Sequence, residues 1–191
     1  NVDRNKAKYG ESVHITGTIA DSEGTPYKTG SVTLRDTTAA VLSESIAVVN
    51  VTDGKFAYDW NPAAGNHTIT AYWAGVRGQT TSATSNPVSV IVEHKPVTLT
   101  ISLSTQNIAL GENVTISAIL SEKLSNGTVA IRYSLNNRTW TEIEPMQPKN
   151  GTVEYSWSPA SEGTYYVQAT YSGSGNFGAA TSSIVLLYVK P

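Results

Sequence analysis

The chain has 191 residues, of which 39% are hydrophobic and 15% charged, and its formal net charge is −2. Its 15 acidic and 13 basic residues are interspersed, so no basic patch favours nucleic acid or an anionic membrane surface as a partner. Cysteine is absent, which excludes disulfides and thiolate chemistry, and no apolar run of about 18 residues predicts membrane insertion of this segment.

The sequence is a tandem repeat. Residues 10–15 (GESVHI) recur as residues 111–116 (GENVTI), and residues 30–35 (GSVTLR) recur as residues 127–132 (GTVAIR). A period of about 97 residues is too long for a solenoid unit and suits a small domain. We therefore predict two domains of one type, residues 1–93 and residues 97–191.

In the first repeat, short alternating apolar runs separated by Gly, Asn and Pro predict β-strands. Only nine residues precede its Gly-Glu turn, against 14 from Val97 in the second repeat, so we expect its first strand to be truncated. No segment keeps a helical period, so we expect no helix. The predicted apolar positions are Val13, Ile15, Gly17 and Ile19; Val32 and Leu34; Phe56, Tyr58 and Trp60; Ile69, Ala71 and Trp73; and residues 88–92.

The second repeat shows the same alternation in seven short strands, which predicts an all-β fold of packed antiparallel sheets. We expect its core to form where Ile116 meets Val167, and the first core where Ile15 meets Ile69. The predicted strands hold Val97, Leu99, Ile101 and Leu103; Val114, Ile116 and Ala118; Val129, Ile131 and Tyr133; residues 140–143; Val153, Tyr155 and Trp157; Tyr165, Val167, Ala169 and Tyr171; and residues 184–189.

Residues 161–167 (SEGTYYV) resemble the corner of the immunoglobulin fold, in which a Tyr before the penultimate strand bonds back to the backbone. Val167 stands where antibody-type domains have Cys, and His67 takes the place of the corner Tyr165 in the first repeat. Residues 163–173 and the Thr/Ser-rich approach to the last strand resemble the Ig-like repeats of large bacterial and archaeal surface proteins. The resemblance implies two tandem immunoglobulin-like antiparallel β-sandwiches, with neighbouring repeats of the same protein as partners.

The sequence gives no sign of catalysis. The three histidines, His14, His67 and His94, are far apart in the strand pattern, and no Gly-x-Ser-x-Gly or Asp-x-Asp-x-Asp-Gly motif occurs. We therefore predict a protein that is not an enzyme, with no catalytic, cofactor-binding or metal-binding residue and no cofactor.

The aromatic residues divide into two groups. Trp60 and Trp157 end equivalent strands on the apolar phase, which predicts core packing at the end of each sandwich. Four others lie on the polar phase or in loops and are the candidates for a ligand-facing surface: Tyr27, Tyr72, Trp140 and Tyr166.

Asn-x-Thr sequons are in excess. With 13 Asn and 24 Thr among 191 residues, random order gives roughly 1.6 such triplets, whereas six occur and no Asn-x-Ser occurs. Glycosylation at these positions would favour an archaeal surface over a bacterial one. The candidate sites are Asn50, Asn66, Asn113, Asn126, Asn137 and Asn150.

The leading interpretation is a non-catalytic spacer or stalk module of a multi-repeat cell-surface or S-layer-like protein, located outside a prokaryotic cell. One alternative is a carbohydrate-binding or cell-adhesion module whose partners are surface glycans or proteins. Another is a pair of accessory domains of a secreted enzyme that degrades polysaccharides. The short linker Glu93 to Pro96 contains a proline that favours an extended path between the two domains.

Overall fold

The computed structural model describes residues 1–38, 44–77 and 80–191, and the chain divides into two compact units, residues 1–95 and 96–191. Every regular element among the described residues is a β-strand, so the predicted all-β class is confirmed. No helix in this part of the chain could cross a membrane.

The described residues of the first unit form eight strands, hydrogen-bonded in the order β1-β8-β6-β3-β4-β5-β2, with β7 beside β6. Strand β2 lies at one end of this order and pairs antiparallel with β5, so Val13 lies opposite Trp60. The strands are β1 (Lys6–Lys8), β2 (Val13–Thr18), β3 (Thr29–Asp36), β4 (Glu44–Thr52), β5 (Lys55–Trp60), β6 (Gly65–Trp73), β7 (Ala83–Thr84) and β8 (Val88–Glu93).

The second unit forms two sheets, in the orders β10-β17-β15-β12-β13, with β16 beside β15, and β14-β11-β9. Here β11 is a central strand, because it pairs with β14 on one side and with β9 on the other. The strands are β9 (Leu99–Leu103), β10 (Asn107–Ala109), β11 (Val114–Leu120), β12 (Val129–Ser134), β13 (Thr141–Met146), β14 (Thr152–Trp157), β15 (Gly163–Tyr171), β16 (Ala180–Thr181) and β17 (Val185–Lys190).

Each unit contains one parallel strand pair that the sequence pattern did not predict. Strand β1 runs parallel to β8, with Ala7 opposite Val92, and β10 runs parallel to β17, with Ile108 opposite Val189. The other strand pairs between described residues are antiparallel. These two short strands let an extra buried side chain, Ala7 or Ile108, close the edge of each core.

The alternating apolar phase forms the two cores as expected. Ile116 and Val167 are fully buried in the second unit, and Ile15 and Ile69 are buried in the first. Trp60 and Trp157 are also buried, in agreement with their predicted role in core packing. The aliphatic pair Ile116 and Val167 therefore lies in the core, where antibody-type domains place a disulfide.

Two equivalent hairpins show how the repeat fixes local structure. Asp53-Gly54 has positive φ angles of 48° and 71°, and Asn150-Gly151 has φ angles of 53° and 82°. A two-residue hairpin turn of the primed type requires positive φ at both positions, which Asp-Gly and Asn-Gly tolerate best. In the first unit this turn joins β4 to β5, and of these two strands the alternating pattern predicted only β5.

Candidate functional site

The corner of the second unit is an aromatic cluster. The hydroxyl of Tyr165 donates a hydrogen bond of 2.8 Å to the backbone carbonyl of Ser161 and lies 2.9 Å from the Ser161 hydroxyl. The Tyr165 ring packs against Trp157 at 5.3 Å and against Tyr133 at 5.6 Å between ring centroids. The corner hydrogen bond expected at Tyr165 is therefore confirmed.

The same corner in the first unit is polar. His67 takes the place of Tyr165, and its Nδ1 lies 2.6 Å from Oδ2 of Asp36, while its Nε2 lies 2.9 Å from the carbonyl oxygen of Ala63. Trp60 packs edge-on against the imidazole at 5.0 Å. Both polar partners of the ring are acceptors, so it makes both hydrogen bonds only when both of its nitrogens are protonated.

The carboxylate of Asp36 is tied into this corner. Burial acts to raise the pKa of Asp36, but hydrogen bonds from the Thr38 hydroxyl and from His67 outweigh it, and the pKa lies below its ordinary value. The Thr38 hydroxyl donates to Oδ1 of Asp36 at 2.6 Å. We interpret the Asp36 carboxylate as structural, because Thr38 and His67 of the same unit bond to its two oxygens.

A second histidine–aspartate pair, His14 with Asp59, lies at the surface. His14 is on the outer face of β2, between the buried Val13 and Ile15, and its Nδ1 lies 2.6 Å from Oδ1 of Asp59, with both side chains exposed. Among the described residues, no group of three or more His, Asp or Glu side chains converges in a way that could hold a metal ion.

Two of the four aromatic residues predicted to face a ligand, Tyr27 and Tyr72, lie in the first unit. They have different partners and do not form a common binding surface. Tyr27 packs against Trp73 with 4.6 Å between ring centroids and is partly buried against the core. Tyr72 lies on β6 beneath Arg35, whose guanidinium carbon is 4.2 Å from the ring centroid. Tyr27 therefore contributes to packing, and Tyr72 is covered by an arginine.

The other two candidates lie in the second unit. Arg132 holds its guanidinium 4.8 Å from the ring centroid of Trp140 and donates two hydrogen bonds, of 2.6 and 3.1 Å, to Oε1 of Gln168. Gln168 in turn donates to the carbonyl of Ser182 at 2.9 Å. Tyr166 is half-buried two residues before Gln168 on β15. We call Trp140, Arg132 and Gln168 the stacked arginine site.

The arginines of these contacts, Arg35 and Arg132, were not among the predicted site residues. Arg35 and Arg132 close the two copies of the repeated segment 30–35 and 127–132, so their equivalence was visible in the sequence. Their aromatic partners differ, because Tyr72 comes from β6 whereas Trp140 lies just before β13. Only the strand pairing brings these partners over the arginines.

All six sequon asparagines are exposed, in strands and turns of both units. Asn50 lies in β4 and Asn66 in β6, whereas Asn113 lies one residue before β11 rather than within a strand. Asn137 and Asn150 adopt positive φ angles of 55° and 53° in turns. Asn126 lies in the bend before β12, and its carbonyl accepts a hydrogen bond from Tyr171.

The first unit also contains an apolar groove, of about 360 Å³, between its strands beside β2. Its floor is formed largely by core side chains. We call it the β2 groove, and its lining includes Ile19, Leu34, Phe56, Ile69, Trp73 and Val88.

Comparison with known proteins gives one family. The sequence model described as "Bacterial Ig-like domain (group 3)" matches residues 1–93 and again residues 99–190. A search of curated proteins finds no match.

Among solved structures, the chain is similar to a "tetra-tandem repeat in extending region of large adhesion protein", with 17% identity and a TM-score of 0.57 over 98% of this chain and 48% of that one. It is also similar to the Yersinia pseudotuberculosis adhesin InvE, with 13% identity and a TM-score of 0.50 over 95% of this chain and 55% of that one. The chain thus spans about half the length of each.

Proposed function

Because the chain belongs to the bacterial Ig-like domain family, in two tandem copies, we propose that it is a non-catalytic spacer module of a multi-repeat cell-surface protein. Its location is then extracellular, and its regular partners are neighbouring repeats of the same protein. The likeness to the extending region of a large adhesion protein supports this role.

One observation favours a spacer over an enzyme. Apart from the equivalent arginines Arg35 and Arg132, which lie over different aromatic partners, the features that both repeats share are core and turn residues. Examples are Ile15 and Ile116 in equivalent strands and the hairpin residues Asp53-Gly54 and Asn150-Gly151. The polar corner at His67 has no counterpart in the second repeat, where Tyr165 holds the same position. A repeated scaffold without a repeated polar site is suited to extension rather than to chemistry.

Surface display tests the spacer role. The chain would be displayed on bacterial cells between a membrane anchor and a binding head, with an unrelated β-sandwich pair of equal length as the control. We expect the head to capture its ligand equally well above both, and cells that display the chain without a head to adhere no more than cells with the anchor alone. Adhesion by the chain itself would contradict a pure spacer.

A second candidate function, an adhesion module that recognises carbohydrate, is favoured by the stacked arginine site. Trp140 is only partly buried, and a guanidinium stacked on an indole presents both an aromatic surface and hydrogen-bond donors. Sugars and acidic groups bind well to that combination. The two Arg132 bonds to Gln168 would compete with such a ligand.

Binding to a glycan array separates the two candidates. An adhesion module should bind a defined set of glycans and lose that binding in Trp140→Ala. The matched control is Tyr188→Ala, because Tyr188 is an exposed aromatic residue of β17 outside the stacked arginine site. No binding by the parent chain, or equal loss in both variants, would exclude the stacked arginine site as the binding surface.

We also propose that several of the six sequons are glycosylated in the native organism, which would place the protein on an archaeal or other surface that modifies Asn-x-Thr. The exposure of all six asparagines is compatible with attached sugars. Mass spectrometry of protein purified from its own organism tests this. The internal controls are Asn5 and Asn107, which are exposed but lie outside sequons. Unmodified asparagine at all six sequons would refute the proposal.

A further inference from the structure

Strand β4 of the first unit has an open edge. On one side it pairs with β3 along its whole length. On the other side it meets β5 in a single pair, Thr52 with Lys55. Among the described residues, no strand lies beside residues 44–51 on that side, which we call the β4 edge. An open edge presents backbone N–H and C=O groups to which another strand can bind.

The backbone groups of Val48 and Asn50 point out of the β4 edge. Thr52 and Lys55 close a two-residue turn, and the residues that close the equivalent turn of the second unit exchange two backbone hydrogen bonds, of 2.9 and 3.1 Å. The N–H and C=O of Thr52 therefore face β5. Because such groups alternate along an antiparallel strand, those of Asn50 and Val48 also face away from β3.

The equivalent edge of the second unit belongs to β13, which ends the strand order of its sheet. The pairing of β3 with β4 and that of β12 with β13 shift register at the same point, just before Arg35 and Arg132. The two strands can therefore be compared residue by residue. Three residues of β4 have these counterparts in β13: Glu142 for Ser45, Glu144 for Ala47 and Pro145 for Val48.

The counterparts in β13 protect its edge. Pro145 has no N–H to donate to an added strand, and its place in the ladder agrees with a nitrogen that points away from β12. Glu142 and Glu144 are exposed on the same strand. Proline and charged side chains are the means by which natural sheets prevent pairing between edges. In β4 neither is present at these positions, and its one charged residue is Glu44 at the start of the strand.

The sequence of β4 is suited to pairing with itself. Residues 45–51 (SIAVVNV) include four β-branched apolar residues and contain no charge, proline or glycine. Such residues favour strands, and low charge without proline is typical of segments that pair with their own copies. The side chain of Val48 is 67% exposed on this strand.

We propose that the β4 edge is a self-association surface, at which two copies of the chain pair β4 with β4 antiparallel about a two-fold axis at Val49. Val48 of each copy then lies opposite Asn50 of the other, so the outward backbone groups of both residues are hydrogen-bonded. The interface joins copies side by side through their first units. It goes beyond the spacer function, which requires no contact between molecules.

A second copy fits the β4 edge better than a foreign peptide does. A two-fold interface uses the same surface on both sides, and the antiparallel arrangement lets the outward groups of Val48 and Asn50 serve each other. Glu44 lies outside the paired residues, so like charges do not meet at the centre of the interface. A charged peptide would find no opposite charge on β4, and the edge of β13 is closed to β4 by Pro145.

Sedimentation of the full chain over a range of concentrations tests the proposal. We expect a reversible dimer in the parent chain, weakened at least about tenfold in Val48→Pro, because two hydrogen bonds are lost per dimer. Val48→Pro introduces the residue that the second unit already has at this position. The matched control is Val48→Thr, which keeps both the N–H and the β-branch and should dimerise like the parent chain.

Hydrogen exchange in the parent chain gives a second measurement that depends on no variant. The amide of Val48 should exchange rapidly in dilute solution and become protected as the concentration rises. The internal control is the amide of Val49, which faces β3 and should be protected at every concentration.

Each other outcome overturns the proposal. A monomer at all concentrations, or exchange at Val48 that does not depend on concentration, would show that the β4 edge binds no second copy. Equal weakening by Val48→Pro and Val48→Thr would assign the association to the apolar side chain rather than to the backbone edge. A dimer of Val48→Pro as stable as that of the parent chain would place the interface elsewhere.

Discussion

His67 and Tyr165 hold the same corner of the two repeats, and each ring bonds to the backbone carbonyl four residues earlier, at 2.9 Å to Ala63 and 2.8 Å to Ser161. Their neighbours on the adjacent strand differ accordingly, since Asp36 stands where the second repeat has Tyr133. The same corner is therefore held by a histidine–carboxylate hydrogen bond in the first repeat and by aromatic packing in the second.

The first unit should lose stability in acid through Asp36. Its pKa is lowered in the folded state from an ordinary value of 3.8, so its contribution is fully present above that value and is lost as the pH falls through the folded pKa. Between about pH 5 and about pH 2, the free energy of unfolding of the first unit should fall less in Asp36→Asn than in the parent chain. This is roughly the pH range over which a carboxylate with a lowered pKa takes up its proton. Urea unfolding followed at the Ile69 methyl signals measures this unit separately.

The matched control for this experiment is Asp59→Asn. Asp59 forms the same kind of contact, 2.6 Å to the Nδ1 of His14, but both side chains are exposed. An exposed pair contributes little to stability. A change in acid sensitivity as large in Asp59→Asn as in Asp36→Asn would show that burial of the corner is irrelevant.

Tyr165→Phe should destabilise the second unit by about 0.5 to 1.5 kcal/mol, because it removes the hydroxyl that bonds to the carbonyl and to the side chain of Ser161. Tyr166→Phe is the control, since this neighbouring ring is half-buried on the other phase of β15. Urea unfolding monitored at Val167 gives both values. Equal effects of the two substitutions would show that the hydrogen bond from Tyr165 to Ser161 does not stabilise the second unit.

Val167→Ala should destabilise the second unit by about 1 to 3 kcal/mol, since it deletes two methyl groups from a fully buried position and leaves a cavity. The same substitution at Val48, which is 67% exposed, should change the stability of the first unit very little. The midpoints of denaturant unfolding, at an unchanged m-value, measure the stability change of both variants. A neutral Val167→Ala would contradict the assignment of Val167 to the core, because collapse around the gap removes only the cavity term and not the lost transfer free energy.

Gly17→Ala tests a difference in packing between the repeats. Gly17 lies opposite Phe56, and a Cβ at Gly17 would come within 2.1 Å of the Phe56 ring, whereas the second repeat pairs Ala118 with Val153 at these positions. We expect Gly17→Ala to cost about 1 to 3 kcal/mol. The variant that also contains Phe56→Val should be more stable than the sum of the two single changes predicts. Simple additivity would show that the ring moves aside freely.

The cores were predictable from sequence because alternation alone places a residue on one face of a strand. Ile15, Ile69, Ile116 and Val167 were assigned to the cores on that basis, and all are buried. Strand β4 was not assigned because residues 46–49 (IAVV) are all apolar, so this part of the strand shows no alternation.

The corner of the first unit could not be predicted from the sequence. Asp36 and His67 are 31 residues apart, and only the pairing of β3 with β6 brings them within hydrogen-bond distance. The parallel strands β1 and β10 have three residues each, too few to show any period. The β2 groove depends on which strand lies beside β2 in the sheet. That neighbour cannot be read from the residues of β2 alone.

The parallel pairing of β1 with β8 joins the two ends of the first unit through three residue pairs, from Lys6 with Ile91 to Lys8 with Glu93. Tension applied through the residues before β1 and after β8 pulls these neighbouring strands lengthwise past each other. Their hydrogen bonds are then loaded in shear and must fail together instead of being peeled apart one at a time. Forced unfolding is governed by the unfolding rate, so we expect the first unit to unfold at a higher force with the β1–β8 pair intact than without it.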